Sequence, residues 1–447
     1  MARPGQWSSQ FTFLMAAVGF AVGLGNIWRF PYVTGENGGA AFILIYLICV
    51  VAIGVPILMA ELMLGRSGGG SPPGALATLS RASGRSPAWA GIGYLNLATA
   101  ALIVVGYTVV AGWVLAYLFQ ALQGGVLFTE GVAATQAFDD LLDSFPALLG
   151  WGALSLALTC TILYAGLQSG IERAVRILMP TLFGLLVALA LYNVFFAEFG
   201  SALAYLFTPD FDQVTADTVL AAIGQAFFSI GVAMAGMMVF GAYLPKDVSI
   251  VRSAAIIVVA DTSVAILAGL VIFPMVFAAG LDPQGGPGLI FSTLPVAFAN
   301  IPGGAFLAAV FFLLLAVAAV TSLVGLCEPL CAWMIERFEI TRSRAAITLG
   351  ALMLPGLALS ALSYNNLADV RLGGYSLEFL IDFVPNQIML PLGGLLLALF
   401  AGWVLQRSRA VEGLGLGAQG LFGVWHFLVK FFLPLAIGVV LISGIAG

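Results

Sequence analysis

The sequence predicts an all-α, polytopic membrane protein with about eleven spanning helices. Three observations carry that expectation. Hydrophobic residues make up 61% of the 447 residues and charged ones only 8%, with a mean hydropathy of +1.09, whereas about a quarter of a soluble domain is charged. Apolar runs of roughly 20 residues, the length that crosses a bilayer core, recur between charges and Gly/Pro clusters along the whole chain. Basic residues concentrate in alternate loops, as the positive-inside rule requires.

In chain order the expected spans lie near 11–35, 40–65, 88–122, 148–166, 170–197, 218–243, 250–280, 303–335, 343–362, 384–405 and 421–446. The first apolar run starts near Phe11 and continues past Arg29 without a small-residue cleavage site, so it reads as a span rather than a signal peptide. With the N-terminus inside, the cytoplasmic face holds Arg3, Arg66, Arg81, Arg85, Arg173, Arg176, Lys246, Arg252, Arg337, Arg342, Arg344, Arg407, Arg409 and Lys430, 14 of the 16 basic residues. The opposite loops carry Glu130, Asp139, Asp140, Asp143, Asp210, Asp212, Asp217 and Asp282 without a Lys or Arg. An odd number of spans then leaves Gly447 outside. Short loops without any Asn-x-Ser/Thr acceptor point to a bacterial inner membrane.

Several functions are excluded early. The net charge of -5 and scattered basic residues give no nucleic-acid stripe. No nucleotide loop, nucleophile elbow or metalloprotease motif occurs, so an enzyme is not expected. Cys49, Cys160, Cys327 and Cys331 all fall in apolar runs and read as small packing residues. His426, beside Trp425 and Lys430, reads as an interfacial anchor.

Two spans are interrupted. The first contains Gly19, Gly23, Gly25 and Asn26 in its middle, and the sixth contains Ser229, Gly231 and Gly236. Glycine weakens a helix, and irregular backbone at membrane depth persists only where it is buried in protein or lines a cavity. The same glycines also permit close helix packing. Asp261 follows Arg252 by nine residues, about 13 Å along a helix, which places a carboxyl near the middle of a core about 30 Å thick. A group at that depth needs a partner or a role, or holds neighbouring helices together in protonated form.

The run from Gly19 through Arg29-Phe30-Pro31-Tyr32, followed by Glu36-Asn37-Gly38-Gly39, resembles the first helix of neurotransmitter:sodium symporters. Further matches follow in order: Gly54-Val55-Pro56 with Glu61 and Gly65-Arg66, Tyr107 with Trp113, Gly224 to Ser229, Thr321-Ser322 before Glu328-Pro329, and Leu390 to Gly394. The resemblance covers essentially the whole chain and is greatest to the bacterial amino-acid transporters of that family. It implies a 5+5 inverted repeat with broken helices 1 and 6, in one domain 1–447: repeat one about 8–197, repeat two about 218–406, and an extra helix about 421–446.

The resemblance also implies the site. Sodium, a hard cation, takes oxygen ligands. One sodium would meet the Ala21 carbonyl, Asn26, Ser229, Asp261 and the substrate carboxylate. A second would meet carbonyls of Gly19, Val22 and Ala318 with the hydroxyls of Thr321 and Ser322. Chloride-dependent relatives carry asparagine at the position of Asp261 and a serine where this chain has Ala265, with Tyr46, Gln225 and Ser229 at the other chloride-associated positions. The fixed carboxylate of Asp261 would therefore replace the anion, and no chloride is expected. Amine transporters carry aspartate at the position of Gly23, so the substrate here should bring its own carboxylate, received by Leu24 and Gly25 N–H groups and the Tyr107 hydroxyl. Phe20, Ile103, Phe228, Gly231, Met234, Ser322 and Leu326 would line an apolar side-chain pocket, with Gly231 adding volume for aromatic substrates.

Arg29 and Asp382 match the outer gate, although Arg29 could instead snorkel to the interface. Arg3 and Glu336, with Trp7 and Tyr243, match an inner gate. Glu61 would brace the broken sixth helix or pair with Arg66. The resulting expectation is a sodium-coupled symporter of neutral hydrophobic or aromatic L-amino acids, monomeric or weakly oligomeric in the lipid bilayer. A membrane sensor that binds sodium and amino acid without transport is the alternative.

Overall fold

The computed structural model describes residues 5–283, 286–416 and 420–446. The chain opens with a bent pair, α1 (Gln10–Ala21) and α2 (Gly25–Glu36), whose axes diverge by 51°. There follow α3 (Ala40–Gly68), the short α4 (Pro72–Ala82), α5 (Pro87–Leu122), α6 (Gly131–Asp143), α7 (Phe145–Ala165), α8 (Leu167–Phe196) and α9 (Phe199–Phe207). A second interrupted pair, α10 (Ala216–Ile230) and α11 (Gly236–Ala242), leads to α12 (Ile250–Ala278), α13 (Thr293–Ala299), α14 (Gly304–Phe338) and α15 (Arg342–Ser363). A two-residue hairpin, β1 (Arg371–Leu372) with β2 (Tyr375–Ser376), precedes α16 (Leu377–Val404), α17 (Arg407–Leu414) and α18 (Leu421–Gly444).

Among the described residues nine of these helices are individually long and apolar enough to cross a membrane, and the α1–α2 pair makes a tenth. The α10–α11 pair stands where the sixth span is expected, but its parts have only 15 and 7 residues. Neither part is long enough to cross alone. The expected start of the tenth span near residue 384 is seven residues late, because α16 begins at Leu377 behind an N-cap in which Ser376 Oγ accepts from Phe379 N at 3.2 Å. Pro385 does not start the helix. It sits inside it, in a wider π turn over Val384–Met389 that accommodates the missing N–H.

Both breaks have a local cause. A reciprocal capping box between Ser9 and Thr12 starts α1, and at Val22 the backbone turns extended (φ -73°, ψ 100°) as the glycines begin. The same box, Thr215 with Thr218, starts α10, which ends at Gly231 in the left-handed region (φ +71°). Ala233 and Ala235 then also adopt positive φ, 63° and 65°, a conformation that costs alanine on the order of 1 kcal/mol or more and persists only when its surroundings fix it. Glu61 is what fixes it: its carboxylate, fully buried, accepts from the Ala233 N–H.

Packing divides the helices into two sets that meet at the breaks. In one, α3 lies along both α10 and α11 and also meets α12. In the other, α5 lies along α14 and α7, and α7 along α15. The glycines on α3 and α11 allow backbones to touch, since a Cβ on Gly241 would stand 2.9 Å from Leu62 Cα. The first helix runs between the sets: α1 packs on α14 and α8 on one side and α12 on the other.

Candidate functional site

The two breaks place their exposed backbone beside α12 and α14, so residues 200 to 300 positions apart converge. Asn26 Nδ2 donates to Asp261 Oδ1 at 2.7 Å, to the Asp261 carbonyl at 3.1 Å and to Ser229 Oγ at 3.0 Å. Ser229 Oγ donates to Asp261 Oδ2 at 2.6 Å, and Tyr46 Oη shares a 3.2 Å hydrogen bond with the same hydroxyl. Asn26, Tyr46 and Asp261 are fully buried and Ser229 almost so. No cation of the described residues pairs with Asp261. A carboxylate so buried calls for a bound cation or a proton to balance it.

A second cluster of oxygens lies between α1 and α14. Ser322 Oγ donates to the Phe20 carbonyl at 3.3 Å and the Val22 carbonyl at 3.5 Å. Thr321 Oγ1 donates back to the carbonyls of Val317 and Ala318, at 3.0 and 3.1 Å. Gly19 faces Thr321, whose Cβ would stand 3.5 Å from a Cβ added there. All five residues expected for the second sodium are therefore neighbours, and the carbonyls and hydroxyls they would offer are oxygens, the donor type a hard cation takes.

Between the clusters lies Gly23. A Cβ there would stand 3.0 Å from Tyr107 Oη and 3.3 Å from Ser322 Cβ, so this position has no room for a side chain without displacement. Its N–H donates to Asn26 Oδ1 at 3.2 Å, and the Leu24 N–H donates to Tyr107 Oη at 3.1 Å. The groups expected to receive a carboxylate are thus assembled, with Leu24 N–H resting on Tyr107.

From this floor a cavity of about 480 Å³ opens toward one end of the molecule, lined by Leu24, Gly25, Trp28, Arg29, Ile103, Tyr107, Trp113, Phe228, Glu378 and Asp382 among others. Arg29 and Asp382 face the same cavity without pairing. The Arg29 guanidinium lies over the Phe228 ring, 4.7 Å from its centroid, while Asp382 Oδ1 accepts from Asn386 Nδ2 at 2.8 Å. The pairing expected of an outer gate is not made in this conformation, and the path to Tyr107 is open.

Two expectations about the pocket need correction. Gly231 does not add volume: a Cβ there would stand 3.3 Å from Phe20 Cε1 and Cζ, and the same ring presses on Gly236 and Gly325. The space that three glycines release is filled by Phe20, because a close-packed interior leaves few voids. Met234 and Leu326 are buried and do not line the open cavity.

At the opposite end, Arg3 lies outside the described residues, and Glu336 faces α4, where Glu336 Oε2 accepts from Ser71 N at 2.5 Å. The expected Trp7 and Tyr243 do close this end, joined by Glu328, Arg342 and Glu172. Trp7 Nε1 donates to the Phe240 carbonyl at 3.0 Å and its N–H to the Tyr243 carbonyl at 3.2 Å. Tyr243 Oη donates to Glu328 Oε1 at 2.8 Å, and Glu328 takes a two-pronged salt bridge from Arg342, whose Nε donates to the Leu163 carbonyl at 2.9 Å. Glu172 accepts from Ser8 through both its N–H, at 2.7 Å, and its hydroxyl. Sequence reasoning left Glu328, Arg342 and Glu172 without a role. The available signal was an acidic residue deep in an apolar run of α14. Arg66, the alternative partner of Glu61, donates instead to carbonyls of Val248 and Gly413.

The family model for the sodium:neurotransmitter symporter family matches residues 4–138 and 146–446. The chain belongs to this family. An uncharacterized sodium-dependent transporter, YhdH of Bacillus subtilis (strain 168), is 34% identical over 99% of the chain and 98% of its own length. A second such transporter, from Haemophilus influenzae, is 31% identical over 98% of both. A crystal structure of MhsT in complex with L-phenylalanine superposes with a TM-score of 0.89 at 39% identity, covering 98% of this chain and 99% of that one. The protein is therefore a multi-pass membrane protein of a family of sodium-dependent transporters rather than enzymes, and its helical architecture is that of MhsT.

Proposed function

We propose that this symporter family member couples the sodium gradient to uptake of neutral, hydrophobic or aromatic L-amino acids without needing chloride. The observation that carries the reading is the buried Asp261 carboxylate, hydrogen-bonded by Asn26 and Ser229 beside the break in the first helix. It supplies one negative charge at the place where a cation and an amino acid would share a site. Ala21, Asn26, Ser229 and Asp261 would hold one sodium, completed by the substrate carboxylate. Gly19, Val22, Ala318, Thr321 and Ser322 would hold the second.

Gly23 excludes a side-chain carboxylate, so the substrate provides its own, set against Leu24, Gly25 and Tyr107. The apolar walls, Ile103 and Phe228 with Phe20 beneath, disfavour a charged side chain. The complex of MhsT with L-phenylalanine supports an aromatic substrate by likeness. Alternating access would follow from Arg29 closing on Asp382 over the cavity, with the network of Trp7, Tyr243, Glu328 and Arg342 opening in turn. In this reading the N-terminus is cytoplasmic in an inner membrane, and repeats about 8–197 and 218–406 form the two halves. Counterflow of labelled phenylalanine in proteoliposomes tests it. Exchange that requires sodium on the loading side and persists in gluconate supports the proposal; binding without exchange indicates a sensor instead.

A further inference from the structure

The Trp7 end of the molecule carries a cluster that the transport reading does not use. Helix α16 ends at Gly402-Trp403 against α18, and the approach is close: a Cβ on Gly402 would stand 2.8 Å from Lys430 Cα. Trp403 Nε1 donates to the Lys430 carbonyl at 2.9 Å. The Lys430 ammonium lies 4.3 Å from the centroid of the Trp403 ring and 5.5 Å from that of Phe431. One turn toward the helix end, His426 stacks on Phe422, ring centroids 5.6 Å apart. The Arg407 guanidinium lies over the other side of this cluster, 5.5 Å from the Phe422 centroid.

Lys430 therefore sits on the lipid-facing surface of an apolar helix with aromatic rings for company and no carboxylate of the described residues as a partner. A cation in that position is stabilised by ring faces only in part and attracts an anion. The surface continues as an apolar stripe along α18 away from the cluster, through Phe431, Leu435 and Ile442, of which Leu435 and Ile442 are each 69% exposed. Two cations at one end and an exposed apolar stripe running from them match the two halves of one ligand.

We propose that Arg407 and Lys430, framed by Trp403 and His426, form a binding site for the phosphate headgroup of an anionic phospholipid whose acyl chain lies along α18. The stripe is what favours a lipid over a free anion. Basic pockets at the cytoplasmic ends of spanning helices recognise such headgroups, each basic side chain strengthening binding roughly fivefold.

The test is titration of the purified full chain with dioleoylphosphatidylglycerol and dioleoylphosphatidylcholine, read as retained lipid by native mass spectrometry. The unsubstituted protein should retain the anionic lipid preferentially, and excess inorganic phosphate should not displace it. The double variant Arg407→Gln/Lys430→Gln should weaken retention about thirtyfold. Lys430→Arg should preserve it, as should Arg173→Gln, an exposed basic residue on α8 elsewhere on that end. Equal retention of the two lipids by the unsubstituted protein, displacement by phosphate, or unchanged retention in a folded double variant each overturns the site. The first of these outcomes needs no variant to fold.

Discussion

Asn26 and Asp261 are 235 residues apart in sequence and 2.7 Å apart in space, joined by a hydrogen bond from the Asn26 amide to the carboxylate. The contact links the break in the first helix to the middle of α12. It places one fixed negative charge beside backbone that the glycines have opened.

Asp261→Asn should therefore weaken sodium binding. A hydrogen bond to a charged group contributes about 2 kcal/mol, or about thirtyfold in affinity. The sodium dependence of substrate binding measures it, and the midpoint should rise accordingly in Asp261→Asn and in Asn26→Ala. An unshifted midpoint in both would remove the carboxylate from the ion site.

Gly23→Ala should abolish amino-acid binding while leaving the protein folded. The added Cβ meets Tyr107 Oη and Ser322 at the floor of the site, and overpacking of this kind costs about 1–3 kcal/mol. Scintillation proximity binding, with thermal unfolding as the control, separates the two effects. Retained affinity would show that the substrate does not approach Gly23.

Phe20→Ala should enlarge the pocket by exposing Gly231, Gly236 and Gly325 to it. The loss of a buried aromatic ring costs on the order of 3–5 kcal/mol, so the melting temperature should fall. In competition against labelled phenylalanine, bulkier side chains should gain relative to smaller ones. A fall in stability without a change in the competition order would assign Phe20 to packing alone.

Arg342→Met should destabilise the protein by about 3–5 kcal/mol, because it strands the fully buried Glu328 carboxylate, whose remaining partner is Tyr243. Adding Glu328→Gln should recover much of that loss, as the stranded charge disappears. Thermal unfolding of the two single variants and the double variant forms the cycle. If the effects simply add, the salt bridge is not the source.

Much of this was legible without coordinates, for reasons that differ between residues. Length and hydropathy determined the helices, since a bilayer core admits few alternatives to an apolar helix about 20 residues long. Glycine and asparagine marked the break at Gly19–Asn26, because their backbone effects are local. Glu61 was legible as a brace for the sixth helix or a partner of Arg66, and only the contact with the Ala233 N–H decided between them.

Other features were settled only when distant segments met. The start of α16 depended on the Ser376 cap, which carries the helix through Pro385 by a π turn. The volume beside Gly231 depended on where the Phe20 ring turned, a matter of rotamer and packing that no local pattern encodes. The partner of Glu328 was Arg342, beyond the end of its helix, and Glu336 met the Ser71 N–H at the start of α4. By itself the sequence determined which backbone would open and which carboxyl would be buried, because both follow from the residue's own chemistry in an apolar run. Tertiary structure alone decided what meets them, because a hydrogen bond or a filled void requires two surfaces to be brought within a few ångströms.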